Sequence, residues 1–357
     1  DVRAFLTFSG QGRGVAVEIM TGAPIPEGGI NTVVRIEDVR VERTKDGLAS
    51  TIWIDHPLRP GDNLRPRGTD FRVGQRGLPQ GVRLAPEHIL ACASLGLSTI
   101  NVKARPRVSI ISTGSELVSP DERVLPPGMI RNSTGPFLLA AARRMGLDAK
   151  YLGVIRDDPS LYRKMLESAL RDGVEIIMST GAVSMGKYDF VPGVLEQMGA
   201  HTHFHKAAIR PGKPLLFAEL SSGQGKTASG QGKTAFFGIP GNPVSTAVGM
   251  RFFVEPYLRA LLGLEREMPI DAILAQDVLK PKGLRCFFKG RCRVGTRGGI
   301  EVQVLKGQAS YVVSTLLEAN SWVVLPEEDD HMMRGTRVGV YPLYNAFESA
   351  FELGILS

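Results

Sequence analysis

The chain has 357 residues, with 43 Lys+Arg against 36 Asp+Glu for a formal charge of +7, and is 43% hydrophobic and 22% charged. At a soft prior of about 150 residues per domain this predicts two or three domains and excludes a single small module. No run approaches the ~18 unbroken apolar residues of a membrane span, and the opening DVRAFLTFSG lacks the basic-then-apolar order of a secretory signal. A cytoplasmic protein without a membrane span is the expectation.

Cys92, Cys286 and Cys292 are odd in number and lack zinc-ligand spacing, so reduced thiols are expected, without a disulfide scaffold or a structural zinc. The positive balance favours an anionic partner, whether phosphate, nucleic acid or oxyanion. The basic residues are spread along the chain, and the aromatics, only 7% of it, are not interleaved with them. Nucleic acid is thereby set aside.

In chain order, residues 1 to about 75 read as short β segments broken by turns: Val15–Met20, the turn Thr21-Gly22-Ala23-Pro24, then Thr32–Ile36. Residues 86–97 read as one helix running into a glycine stop. From Val108 the pattern becomes apolar β-branched runs alternating with helices, which predicts βαβ units and a doubly wound, mostly parallel sheet. Strands are expected at 108–112, 149–154, 174–179, 215–218 and 235–239, with helices at 135–145, 159–171, 190–198 and a long last one at 243–262. Beyond Pro269 short alternating strands return, at 301–305, 321–325 and 338–341 with a short helix at 312–318, which predicts a small β-barrel or sandwich. The expected domains are 1–103, β-rich with one helix, 104–266, α/β, and 267–357, the C-terminal β-barrel.

Gly-Gln-Gly-Lys-Thr-Ala occurs twice, at 223–228 and 230–235. A P-loop needs a further Gly five positions before the Gly of Gly-Lys-Thr; Leu220 and Thr227 stand there, so the nucleotide reading fails and a polar hairpin insertion is expected.

Ligands of open α/β sheets lie beyond the carboxyl ends of the strands. Four loops there are rich in small and polar residues: Ser112-Thr113-Gly114-Ser115-Glu116, Arg156-Asp157-Asp158-Pro159, Ser179 to Gly186, and Gly238-Ile239-Pro240-Gly241-Asn242-Pro243. Each alone is an ordinary helix cap or turn; four along one edge point to a phosphate-bearing ligand. Glu116, Asp157 and Asp189 fall in or just after these loops, where carboxylates suit either a Mg2+ site or the complementing of helix dipoles. Lys206, Arg210 and Lys213 crowd three cations around a Gly-Pro turn, a repulsive arrangement unless an anion sits among them. His201, His203 and His205 alternate at strand spacing; a metal face is conceivable, but with no carboxylate or Cys to complete the set an exposed edge strand is the simpler reading.

Taken together, the segments Met20 to Gly28, Arg67-Gly68-Thr69-Asp70, Ser112 to Leu117, Gly153 to Pro159, Ser179 to Gly186, Ile209 to Pro214 and Gly238 to Ser245 resemble, in order and over nearly the whole chain, the MoeA family and the E domain of gephyrin-type proteins. The resemblance implies the molybdopterin-binding fold flanked by an N-terminal β-rich domain and a C-terminal barrel. It implies Mg2+-dependent insertion of molybdate into adenylylated molybdopterin with release of AMP. Thr113, Gly114, Ser184, Lys206, Pro240 and Asn242 would then line the pterin-nucleotide site. Glu116, Asp157 and Asp189 would form the catalytic, metal-binding acidic cluster. Arg210, Lys213 and Pro214, with Lys289 and Ser310 from the C-terminal domain, would hold molybdate.

The family also implies a homodimer, with Thr21 and Asp70 facing a partner-subunit cleft, and an upstream adenylyltransferase domain or protein as supplier. Family members usually begin with a helical segment and a Met-Asp-Gly-Tyr-Ala stretch; neither occurs here, and dimerisation and full activity are expected to depend on them. Ala182 stands where the family often has Gly, and Arg210 where it often has Lys. Two rival readings are the related adenylyltransferase, which would lack the flanking β regions, and a gephyrin-like scaffold that binds a partner peptide.

Overall fold

The computed structural model describes residues 3–7, 15–27, 30–47, 49–183, 189–221, 232–295 and 298–343. They form two compact units, one of residues 1–80 with 85–96 and one of 81–84 with 97–357.

In the first unit β1 (Arg3–Thr7) pairs antiparallel with β2 (Val15–Glu18), and β3 (Arg40–Arg43) with β4 (Ala49–Trp53). The strand expected at 32–36 is instead an extended segment tied to a turn. The Val33 N–H donates to Asp62 O at 3.0 Å, the Gly61 N–H to Asn31 O at 2.7 Å, and Asn63 Nδ2 to Val33 O at 2.7 Å. Both backbone groups of Val33 are thus satisfied by that turn in place of a ladder partner. Helix α1 (Pro86–Ser94) starts on a proline, has its Ala85 N–H bonded to His88 Nδ1, and stops before Gly96, whose φ is +73°. Glycine takes that left-handed turn without a Cβ penalty.

The second unit begins with β5 (Arg107–Thr113), the short pair β6 (Leu117–Val118) and β7 (Ile130–Arg131), then α2 (Thr134–Arg144) and β8 (Asp148–Ile155). It continues through α3 (Pro159–Arg171), β9 (Ile176–Thr180), α4 (Val191–Gln197), β10 (His201–His205), β11 (Ile209–Arg210), β12 (Leu216–Ser221) and β13 (Lys233–Ile239). The central sheet has the order β10-β12-β13-β9-β5-β8, with β12 alone antiparallel to its neighbours. Adjacent residues of one strand serve opposite faces. Ile111 and Ile177 join the core under α3 and α4, whereas Ile110 and Ile176 join the one under α2 and the last helix. That two-sided burial is why these strands read as unbroken apolar runs.

The last helix, expected to be continuous over 243–262, is α5 (Pro243–Gly249), one π-helical turn at Met250–Val254, and α6 (Glu255–Leu262). Pro256 has no N–H to return to Phe252, and the wider turn absorbs the missing bond. Arg251 in that turn is buried, forks onto Glu267 at 2.7 Å through both terminal nitrogens, and donates through Nε to Pro342 O at 3.2 Å.

The C-terminal part comprises β14 (Ile270–Leu274), β15 (Val278–Leu279), β16 (Arg285–Val294), β17 (Ile300–Val304), α7 (Ser314–Glu318), β18 (Ser321–Leu325), β19 (His331–Met332) and β20 (Arg337–Pro342). Its sheet runs β11-β16-β17-β14-β20-β18, and β18 pairs back onto β16, closing the expected small barrel around Leu274, Phe288, Val302, Val323 and Val340. Cys92, Cys286 and Cys292 are buried free thiols. No described helix is long and apolar enough to cross a membrane.

Candidate functional site

The loops that follow β5, β8, β9 and β13 are locked to one another by short contacts. Thr113, at the end of β5, is buried, and its Oγ1 donates to Thr180 O at 3.0 Å. The Gly181 N–H donates to Ile239 O at 3.2 Å, and a Cβ on Gly181 would stand 2.7 Å from Thr113 Oγ1 and closer still to the Thr113 carbonyl oxygen. Only glycine fits between these strand ends, and its φ of +87° requires glycine as well. Gly241, in the loop after β13, lies against Gly181, where a Cβ would stand 3.7 Å from the Gly181 Cα.

The acidic corner is built by the β5 and β8 loops. Gly114, at φ +146°, passes its N–H to Ile155 O at 3.1 Å, and the Glu116 carboxylate folds back over it, where a Cβ would meet Oε2 at 2.6 Å. Asp157 is held beside it by a reciprocal pair: the Ser115 N–H donates to Asp157 Oδ2, and the Asp157 N–H donates to Ser115 Oγ, both at 3.2 Å. The helix-capping role open to Asp157 from sequence belongs to Asp158, which accepts the N–H groups of Ser160 and Leu161 at 2.9 and 3.0 Å. Asp189 is half-buried, two residues before Val191, whose N–H donates to Ala182 O at 3.4 Å in the loop after β9. Ser184 lies outside the described residues.

Beneath these loops sits a polar network that sequence reasoning missed. Asn132 donates to Tyr151 Oη at 2.6 Å and Ser112 Oγ at 3.3 Å, and its Oδ1 accepts the Gly135 N–H at 3.1 Å. The Thr134 and Thr180 hydroxyls meet at 3.2 Å. The available signal was the polar run Asn132-Ser133-Thr134 before the helix, which supplies a cap and the buttress of the site together.

The cationic turn joins the same edge because β12 runs backwards, so its first residues, not its last, lie beside the end of β13: Leu216 pairs with Gly238. Between β10 and β12, Lys206 gives its N–H to Leu215 O at 2.8 Å and Ala207 gives its N–H to Lys213 O at 2.9 Å. Lys206, Arg210 and Lys213 are exposed, Pro211 and Gly212 are buried, and Pro214 is half-buried. A Cβ on Gly212 would lie 3.9 Å from Ser245 O, so the turn rests on the first turn of α5. From the barrel, Ser310 O accepts the Val244 N–H at 2.9 Å on that same helical turn. Pro240 and Asn242 lead into it, and their carbonyls are strapped by Thr246, to Pro240 through Oγ1 at 2.7 Å and to Asn242 through its N–H at 2.9 Å.

The Lys289 side chain is fully buried, and its ammonium donates to Gly307 O at 2.7 Å and Val312 O at 2.9 Å, which leaves one N–H of its three for a further acceptor. Thr21 and Asp70 lie in the first unit, both on exposed turns.

The three histidines do not share one face. A bulge between Thr202 and Phe204 breaks the alternation, and His205 Nε2 donates to Val183 O at 2.7 Å, tying the cationic turn to the loop after β9. His203 stacks on Phe217 and meets a carboxylate invisible to the local sequence, Glu219 of β12, at 3.4 Å, while Lys233 holds that carboxylate at 2.8 Å. Among the described residues no group of three or more His, Cys, Asp or Glu is arranged to hold a metal ion by itself.

The hydrogen bond from Lys233, with a weaker one from His203, holds the Glu219 carboxyl below its ordinary range. A depressed folded-state value contributes stability above the unfolded pKa that is lost as pH falls through the folded one. Thermal melts of Glu219→Gln should therefore lose part of the acid-side decline in melting temperature below about pH 4.5; an unchanged acid limb would remove the ion pair from the stability of this edge.

Comparisons with known proteins agree with this layout. Residues 109–260 match the family described as "Probable molybdopterin binding domain", residues 7–96 the "MoeA N-terminal region (domain I and II)", and residues 271–343 the "MoeA C-terminal region (domain IV)". Over 330 residues, 92% of this chain and 77% of the relative, the chain is 38% identical to the molybdopterin molybdenumtransferase of Synechococcus elongatus. It is 31% identical, with the same coverage, to that of Haemophilus influenzae. A crystal structure of the molybdopterin biosynthesis MoeA protein of Pyrococcus horikoshii superposes with a TM-score of 0.69 at 28% identity, covering 90% of this chain and 74% of that one. The chain belongs to the MoeA family of molybdopterin molybdenumtransferases.

Proposed function

We propose that this chain carries out the molybdenum-insertion step of cofactor synthesis, taking molybdate and adenylylated molybdopterin and releasing AMP in a Mg2+-dependent reaction. The observation that carries this reading is the meeting, along one sheet edge, of a cationic turn and an acidic corner joined by glycine-lined loops. Thr113, Gly114, Lys206, Pro240 and Asn242 line the pterin-nucleotide site, to which the sequence also assigns Ser184, and small residues there let the backbone approach phosphate. Arg210, Lys213, Lys289 and Ser310 hold the tetrahedral dianion beside the dithiolene sulfurs, with Pro214 shaping the turn; preorganised cations are most effective where water is excluded. Two thiol protons leave with a displaced oxo group as water, and a further water adds across the pyrophosphate link.

The acidic corner suits Mg2+, which takes oxygen donors and commonly uses one or two carboxylates together with substrate phosphates. Glu116, folded over Gly114, and Asp157, held by Ser115, are oxygen-bearing and pre-oriented, and Asp189 is the third candidate. When bound there, the ion supplies charge neutralisation on the diphosphate and polarisation of its P–O bond. Asp157 is kept in place by Ser115, so its free carboxylate oxygen can also orient the attacking water. Thr21 and Asp70 are proposed to face the cleft of a partner copy in a cytoplasmic homodimer supplied by an adenylyltransferase domain or protein. The adenylyltransferase reading accounts for the central sheet alone, whereas residues 7–96 and 271–343 match MoeA flanking regions.

The test is incubation with adenylylated molybdopterin, Mg2+ and molybdate, followed by AMP detection. Glu116→Gln, which keeps shape and removes charge, should lower AMP release about 100-fold or more with an unchanged circular dichroism spectrum. No AMP from the unsubstituted protein would overturn the proposal, and full turnover by the variant would take Glu116 out of it.

A further inference from the structure

Tyr162 on α3 is fully buried, in the core cluster of Ile111, Leu166, Ile177 and Val194. Its hydroxyl faces that of Ser179, also fully buried, near the end of β9. Among the described residues neither hydroxyl has a partner in hydrogen-bond geometry. Burial pushes the phenol above its ordinary pKa, and the Ser179 hydroxyl opposes that only in part. A phenylalanine would bury the same ring without an unsatisfied oxygen. The useful contact of Tyr162 is therefore the one its ring makes: it meets the Phe190 ring edge-on, with centroids 5.4 Å apart and planes at 80°, the directional packing that ring quadrupoles favour.

Each ring adjoins a candidate metal ligand along the chain. The Tyr162 N–H donates to Asp158 O at 3.0 Å, closing the first turn of α3 directly after Asp157. Phe190 follows Asp189 immediately and caps the start of α4, its carbonyl accepting the Val194 N–H at 3.1 Å. Carboxylates that are to share one cation repel one another until it binds. Packing below must then set the spacing of the segments that carry them, and the two rings are packed where α3 meets α4.

We infer that Tyr162 is a positioning residue for the acidic corner: its ring, set edge-on against Phe190, fixes the segment that carries Asp189 relative to the helix start that carries Asp157. This rests on the proposed function, and the test separates the two. Mn2+, which shares the oxygen ligands of Mg2+, is titrated by electron paramagnetic resonance into the protein, Tyr162→Leu, Tyr162→Phe and Phe190→Leu. Tungstate affinity, measured by calorimetry on the same four proteins, reports on the cationic turn. In turnover, the two leucine variants should need about 10-fold more Mg2+ for half-maximal AMP release, with KM for molybdate unchanged.

The expected result is that Tyr162→Leu and Phe190→Leu bind Mn2+ about 10-fold more weakly, the size of effect seen when a supporting contact behind a metal ligand is lost. Tyr162→Phe, which keeps the ring, should restore the affinity to within about 2-fold. A lower melting temperature with unchanged Mn2+ affinity would reduce the ring pair to core packing and overturn the inference. Equal weakening of Mn2+ and tungstate would mean general loosening and overturn it too, as would a Tyr162→Phe as weak as Tyr162→Leu. If Tyr162→Leu does not fold, Phe190→Leu, which breaks the same contact from the half-buried side, decides alone. Absence of Mn2+ binding by the unsubstituted protein would instead overturn the metal reading of the acidic corner, and the inference with it.

Discussion

Gly181→Ala is expected to lower the melting temperature of the protein by about 10 °C and to abolish AMP release. Two independent penalties add. A non-glycine residue at φ +87° carries about 1–2 kcal/mol. The new Cβ, 2.7 Å from Thr113 Oγ1 and nearer its carbonyl, forces apart two strand ends at an overpacking cost of about 1–3 kcal/mol. In a unit of this size each kcal/mol moves the melting temperature by about 2–4 °C. Gly199→Ala is the control, since its φ is +72° but no atom lies within 4 Å of a Cβ there; it should show the conformational penalty alone. Calorimetry that finds the two variants alike would mean that the Thr113–Gly181 contact yields readily and does not hold the loops in register.

The second large effect is on the anion. Arg210→Ala and Lys213→Ala should each weaken tungstate binding about 10- to 100-fold, the range given by losing one charge-assisted hydrogen bond of about 1.5–3 kcal/mol. Both side chains are exposed, so neither substitution threatens the fold. Arg210→Lys should retain most binding, because the charge survives and only the forked donor geometry is lost. Raising ionic strength should weaken the native site more than either variant, because a dianion between two cations is more strongly screened than one beside a single cation. Equal affinities across the three proteins would place the ion elsewhere.

Much of the α/β region was legible because burial on both faces writes itself into sequence. Ile110-Ile111 and Ile176-Ile177 cannot be read as half-exposed, and Pro159 and Pro243 mark helix starts that the structure keeps. The glycines at 114 and 181 were visible as small residues after strands, and the structure shows which atoms forbid anything larger. What could not be read were facts that depend on distant partners. The reversal of β12 decides that Lys206 to Lys213 joins the ligand edge, yet nothing in Leu216 to Ser221 encodes direction. Phe288-Lys289-Gly290 looks like ordinary alternation, and the burial of its lysine depends on carbonyls 18 and 23 residues later. Asp157 and Asp158 are chemically alike, and only the helix geometry assigns the cap to the second and leaves the first beside Ser115.

The reversal of β12 has a second result. The chain leaves that strand at Ser221 and returns at Lys233, opposite it, at the sheet margin remote from the ligand loops. Most of the duplicated Gly-Gln-Gly-Lys-Thr-Ala unit, expected to be a hairpin insertion, lies outside the described residues; the tail of its second copy belongs to β13, with Thr234 buried and donating to Val174 O at 2.7 Å. Because Ser221 and Lys233 are paired in the sheet at that margin, a reporter joined between them enters the molecule away from the ligand loops.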